Sequence, residues 1–163
     1  MKTLLVVDVQ NAFIKPKIKD LPKAIRRHID AGGYDHVLFT KFVNRKGSNF
    51  VTLLGWDKAF RAPDTDIVPE LADLASRDTT FVKSTYSAFK SERLIRYLRA
   101  HRIRTLDVCG VEFDGCVLAT AFEGFDLGYE IRVLNRIARS TTTLEKATEN
   151  ITKRNIDRQV KKR

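Results

Sequence analysis

The sequence is short of the residues that usually staple or metallate a small fold: it has two cysteines and three histidines in 163 residues. Two cysteines cannot build a disulfide framework, and the spacing of Cys109 and Cys116 matches no usual zinc pattern. His28, His36 and His101 fall on separate expected elements, so neither a metal nor a cofactor is expected. Long apolar runs are missing as well. The longest, such as Leu4 to Val7, are strand-sized and far short of a membrane span. The chain enters a β-like run directly, without the basic start, apolar stretch and cleavage site of a secretion signal. The expectation is a soluble, cytoplasmic protein with no membrane partner.

What is present points to a globular fold. Hydrophobic residues make up 43% and charged residues 31%, which is ordinary usage for a packed protein. The length suits a single domain over residues 1–163, with a core that needs no staple. The formal charge of +10 is the one unusual global property, and its field would attract nucleic acid, anionic surfaces or acidic substrates. Basic residues are spread along the chain as on a solvated surface; only Lys153 through Arg163 concentrates them.

Strand and helix signals alternate. Lys2 to Val9 reads as a strand buried on both faces, and His36 to Val43 as a second. Leu21 to Ala31 has helical spacing and stops at Gly32-Gly33. Asn44 to Ala62 is irregular, as functional loops often are. A short helix is expected over Ile67 to Ala75, a strand over Thr79 to Lys83, and an amphipathic helix around Leu94 to Ile103 behind Ser91 or Ser87. Thr105 to Gly110 is another strand. Val117, Leu118, Ala121, Phe122 and Phe125 mark one helical face closed by Gly128. Glu130 to Leu134 makes a fifth strand, and Thr141 to Thr152 a last helix. No repeat or linker interrupts the order. It predicts an α/β fold: a three-layer, doubly wound parallel sheet, with any site beyond the carboxyl ends of the strands.

Three polar residues sit at such ends: Asp8 after LLVV, Lys83 after TFV, and Cys116 shortly after LDVCG. A cysteine at the turn into a helix, beside an ammonium, is expected to have its thiolate favoured, and Asp8 could accept the thiol proton. Each residue also has a structural reading. A cysteine is often a small buried hydrophobe, which is the reading for Cys109; an Asp caps turns; a Lys is often merely exposed.

VDVQNAF (Val7 to Phe13), VKSTYSAF (Val82 to Phe89) and CGVEFDGCVLATAFEGFDLGYE (Cys109 to Glu130) resemble the isochorismatase-like cysteine hydrolase superfamily, which includes nicotinamidases and carbamoylsarcosine amidohydrolases. The likeness continues through the LLGW loop and the closing KRNID. It implies a triad of Asp8, Lys83 and Cys116, and a cis peptide at Val111–Glu112. It also implies an oxyanion hole from the backbone N–H groups of Glu112 and Cys116, donors worth about 3 kcal/mol each to a tetrahedral intermediate. Dimers or tetramers are common in the superfamily, so a homo-oligomer is expected.

The departures are specific. Where nicotinamidase-like amidases carry an Asp/His metal cluster after the second strand, this chain has KFVNRKG (Lys41 to Gly47), so no metal site is expected. Phe113 stands where Thr is usual, and would narrow the pocket or disturb the oxyanion loop. Arg136-Ile137 replaces an Asp–Ala pair after the fifth strand. Isochorismatases proper cleave a vinyl ether and generally lack the cysteine, so Cys116 argues for attack on a carbonyl through a thioester. A small amide or urea is the expected substrate, with Phe13, Trp56, Tyr86 and Phe113 as binding residues; core packing is the alternative for the first three. Two other readings stand beside this one. One is a member of the family that has lost activity. The other is a nucleic-acid binder using Lys153, Arg154, Arg158, Lys161, Lys162 and Arg163, although no recognised module accompanies that tail.

Overall fold

The computed structural model describes residues 1–157. Its centre is β1, Thr3–Val7, whose five residues are all buried. Burying a Leu or Val side chain fully contributes about 1.5–3 kcal/mol, so this strand anchors the sheet. The remaining strands are β2 (His36–Phe42), β3 (Thr80–Lys83), β4 (Thr105–Gly110) and β5 (Glu130–Ala138). They form one parallel sheet in the order β3-β2-β1-β4-β5.

Alternation along β1 divides the core into two layers. Leu4 and Val6 face Ile18 and, from α1 (Leu21–Ala31), Leu21 and Ile25. Leu5 and Val7 face the opposite layer. That layer is built from Leu94 and Leu98 of α4 (Glu92–Ala100), Ala121 of α5 (Leu118–Asp126), and Ile156 just past α6 (Glu145–Asn155). Two short helices, α2 (Asn49–Thr52) and α3 (Pro69–Ala72), complete the set. The expected doubly wound α/β architecture is therefore present, and its strand order reverses at β1. Among the described residues no helix is long and apolar enough to cross a membrane.

Local differences from the sequence reading have local causes. β5 continues to Ala138 because a register shift after Val108 brings Gly110 opposite Ala138. Arg136 consequently lies within β5, exposed, and not beyond it. α6 begins at Glu145 and not at Thr141, because Ser140, Thr141 and Thr142 spend their polar groups on Glu112 and Asp114. Ser87 caps the 3-10 turn Ala88–Lys90 by accepting from Phe89 N at 3.2 Å, whereas Ser91 at the start of α4 makes no side-chain cap. On α5, Phe122 and Phe125 are exposed; the buried face is Thr120, Ala121 and Gly124, small residues that let the helix approach the sheet closely.

One glycine governs how β1 and β4 meet. Gly110 has φ +117, and a Cβ there would stand 2.2 Å from Val7 O and 2.7 Å from Val7 N. Only glycine permits this approach. It sets the end of β4 against the residue that follows β1, which is Asp8. The Val111–Glu112 bond just beyond is cis, as the resemblance implies.

Candidate active site

Asp8 leaves β1 with φ 51, a left-handed conformation in which an Asp is tolerated better than most residues. Thr40 of β2 holds it twice: its hydroxyl donates to Asp8 Oδ1 at 2.7 Å and accepts from Asp8 N at 3.1 Å. β3 lies two strands from β1, about 9.6 Å at ordinary strand spacing. The Lys83 stem spans that gap past the Phe42 ring, whose centroid is 5.2 Å from the ammonium. Its Nζ ends 2.6 Å from Asp8 Oδ2, 3.4 Å from Cys116 Sγ and 2.8 Å from Thr85 O. Asp8 Oδ2 is held by this ion pair, and the Asp8 carboxylate also lies beside the Cys116 thiol. The three residues read from separate strand ends thus meet around one nitrogen.

Burial pushes the Cys116 thiol up to about 12, and Asp8 adds to the rise, while Lys83 opposes it. This corrects the expectation of a favoured thiolate. Cys116 sits inside a π-helical turn, Phe113–Val117, that runs on into α5, and it faces a carboxylate as well as an ammonium. Burial first and then Asp8 favour the thiol over the thiolate. Burial also acts to lower the Lys83 ammonium, but Asp8 and then Cys116 outweigh it and hold the ammonium above its ordinary value. Cys109 is fully buried within β4, where burial and then Asp107 raise its thiol. It belongs to the core, as read from the sequence.

The loop from Glu112 to Val117 is tied down by its neighbours. The N–H groups of Phe113, Asp114, Gly115 and Val117 donate to Arg139 O, Ser140 Oγ, Glu112 O and Glu112 O respectively. Those of Glu112 and Cys116 lie outside this set. The Glu112 carboxylate accepts from Thr141 N at 2.7 Å and Thr141 Oγ1 at 3.1 Å. Burial raises its pKa against those two donors.

In front of Cys116 opens a cavity of about 1110 Å³. Phe13, Trp56 and Tyr86 line it, as do Phe42, Phe50 and Phe122, while Glu112 and Asp114 form a polar side. Phe13 stacks on Trp56 at 6.1 Å between centroids, and Phe50 packs on Tyr86 at 4.7 Å. Phe113 does not reach this cavity. It is buried in the layer beneath β4, because its position in the π-turn directs the ring inward, so its assignment to substrate binding is corrected to core packing. Among the described residues no group of three or more His, Cys, Asp or Glu side chains is placed to hold a metal ion.

The isochorismatase domain model matches residues 2–155. The chain belongs to the isochorismatase family. A curated member, the nicotinamidase/pyrazinamidase of Mycobacterium tuberculosis (strain ATCC 25618 / H37Rv), is 28% identical over 157 residues, covering 82% of this chain and 84% of the relative. Solved structures share the fold. The N-carbamoylsarcosine amidase from Thermoplasma acidophilum superposes with a TM-score of 0.83 at 22% identity, over 99% of this chain and 100% of its own. An isochorismatase-like hydrolase from Alkaliphilus metalliredigens gives 0.82 at 21% identity, over 94% and 91%.

Two supporting residues escaped the sequence reading of this family member. Thr40 is a buried polar residue in HVLFTKF, a strand that also holds His36 and Lys41, and its alternation with the buried Leu38 and Phe42 was the available signal. Gln10 is fully buried: it donates to Phe42 O at 2.9 Å and Thr65 O at 2.8 Å and accepts from Phe42 N at 2.7 Å. It pins the loop behind Phe13 to the end of β2. No local pattern foretells bonds across such sequence distances.

Proposed function

We propose that this family member is a cysteine hydrolase of a small amide- or urea-type substrate, acting through a thioester with Asp8, Lys83 and Cys116. The observation that carries the reading is the Lys83 ammonium in contact with both the Asp8 carboxylate and the Cys116 sulfur. Burial and Asp8 hold the thiol above its ordinary value, so in this reading proton removal and attack are coupled. Asp8 takes the thiol proton as sulfur bonds to the carbonyl carbon, and Lys83 stabilises the sulfur's developing charge. The carbonyl oxygen gains the electron pair and is met by the N–H groups of Glu112 and Cys116. Collapse breaks the C–N bond, and Asp8 returns the proton to the leaving nitrogen. Water, deprotonated by Asp8, then attacks the thioester. The acid is released and Cys116 regains its proton.

The aromatic wall of Phe13, Trp56 and Tyr86 suits a small, planar, uncharged substrate, since apolar pockets with a few convergent polar groups bind such molecules. A screen of small amides and ureas, with Cys116→Ala as control, tests the function. Turnover with at least one amide is expected, with a covalent acyl adduct on Cys116 seen by mass spectrometry. Turnover that survives in Cys116→Ala would overturn the proposal.

A further inference from the structure

Glu112 carries one of the two N–H groups assigned to the oxyanion, and its backbone is fixed on both sides. Val111 N donates to Val7 O at 2.9 Å, at the end of β1, and Phe113 N donates to Arg139 O at 3.0 Å. Between these anchors the Glu112 side chain reaches to the segment after β5. Its Oε2 accepts from Thr141 N at 2.7 Å and its Oε1 from Thr141 Oγ1 at 3.1 Å. Two bonds to one carboxylate set direction as well as distance. Thr141 is therefore a two-point clamp on Glu112.

The clamp is itself held in place. Ser140 is fully buried; its Oγ donates to Asp114 Oδ1 and accepts from Asp114 N at 3.1 Å. Thr142 Oγ1 donates to Asp114 Oδ2 at 2.7 Å, and Ser140 N donates to Glu145 Oε1 at 2.7 Å, in the first turn of α6. Three consecutive hydroxyls are thus spent on two carboxylates of the loop that carries Cys116. Ser and Thr are strong helix caps, yet α6 starts beside them with no side-chain cap. These hydroxyls serve the loop and not the helix.

We propose that Thr141 is a positioning residue: its clamp on the Glu112 carboxylate keeps the Glu112 backbone N–H aimed at the developing oxyanion. Thr141 acts through Glu112 and does not touch the reacting atoms. The inference rests on the proposed function, because an oxyanion forms only if Cys116 attacks a carbonyl. Donors of this kind work only when aimed, and a misplacement of about 1 Å can cost about a hundredfold in rate. The end of β5 thereby sets the geometry of a nucleophile carried between β4 and α5.

Two reagents that modify the same sulfur separate the aim of the N–H from the reactivity of the thiol. With p-nitrophenyl acetate, sulfur bonds to the carbonyl carbon, the thiol proton passes to Asp8, and p-nitrophenolate departs after an oxyanion has formed. With iodoacetamide, sulfur bonds to the methylene carbon, iodide departs, the proton goes to solvent, and no oxyanion forms. Acylation is read as p-nitrophenolate release above the Cys116→Ala background, and alkylation at the Cys116 peptide by mass spectrometry. Both are run at about pH 8, near the ordinary thiol pKa. In Thr141→Val, which removes the hydroxyl and keeps the shape, the ratio of acylation to alkylation is expected to fall about tenfold. Thr141→Ser restores it. Glu112→Ala opens the clamp fully and lowers the ratio further; should it fail to fold, the two Thr141 variants carry the test. A clamp that only supports the fold would lower the thermal midpoint and leave the ratio unchanged. That result in folded Thr141→Val overturns the inference and leaves the hydrolase reading standing. An unsubstituted chain whose Cys116 is alkylated but not acylated overturns both.

Discussion

Asp8 and Lys83 form an ion pair of 2.6 Å in which the side chains are 1% and 0% exposed. Neither charge is screened by water, so each depends on the other and on Thr40, Thr85 and Cys116 for compensation. A buried pair of this kind adds little stability over a well-packed apolar pair, yet breaking it on one side is costly. The pair joins the end of β1 to the end of β3 and forms the centre of the proposed triad.

Lys83→Met should cost about 3–5 kcal/mol in urea denaturation, because it strands a buried carboxylate. The double variant Asp8→Asn, Lys83→Met should recover most of that loss while remaining inactive. Additive losses in the two single variants would show that the charges are not coupled.

Thr40→Val should lower stability by about 1.5–3 kcal/mol, the worth of a hydrogen bond to a charged group. It should also lower turnover with little change in KM, since Asp8 loses its orientation and not its charge. Thr40→Ser, which keeps the hydroxyl, should restore both. A KM effect alone would place Thr40 outside the proton path.

Burial pushes the Cys116 thiol up, Asp8 raises it further and Lys83 lowers it. Asp8→Asn should therefore move the midpoint of iodoacetamide labelling down in pH, and Lys83→Met should move it up. Asp8→Asn would then alkylate faster at neutral pH while hydrolysing no substrate. Cys109, buried in β4, should label only after unfolding.

Gly110→Ala should be among the most damaging single changes, above about 4 kcal/mol, because a Cβ would fall 2.2 Å from Val7 O in a backbone conformation unsuited to alanine. Loss of soluble protein, or a collapse of the thermal midpoint, is the expected result. A near-normal midpoint would mean that β1 and β4 separate more easily than this contact implies.

The net charge of +10 predicts weak DNA binding that disappears near physiological salt, independent of sequence. On α6 the cation Lys153 is already paired with Glu149 at 2.6 Å. Arg158, Lys161, Lys162 and Arg163 of the proposed binding tail lie outside the described residues. Tight binding at physiological salt that Cys116→Ala leaves intact would favour the nucleic-acid reading over the hydrolase.

Periodicity alone makes the strands and long helices legible, because a strand buried on both faces and an amphipathic helix each demand a distinct spacing of apolar residues. α1 ends where Gly32 and Gly33 end it, and β1, β2, β3 and β4 lie where the apolar runs place them. The boundaries that slipped are those decided by partners distant in sequence. β5 is longer because Gly110 offers it a partner, and α6 is shorter because Thr141 and Thr142 serve Glu112 and Asp114.

The sequence by itself placed Asp8 and Lys83 at strand ends and Cys116 shortly past one, and a parallel sheet collects such ends at one edge. That alone brought Asp8, Lys83 and Cys116 to the same side, and the resemblance supplied their grouping. Only the tertiary structure decided how they interact. The thiol's pKa depends on how deeply the turn is buried and on a carboxylate two strands away from the lysine, neither of which is a local property. Phe113 shows the same division: the resemblance implies a pocket wall, but the π-turn sets it beneath β4 and leaves Gly115 lining the cavity. Side-chain direction in a distorted helical turn follows from packing on the sheet, and no spacing rule carries that information.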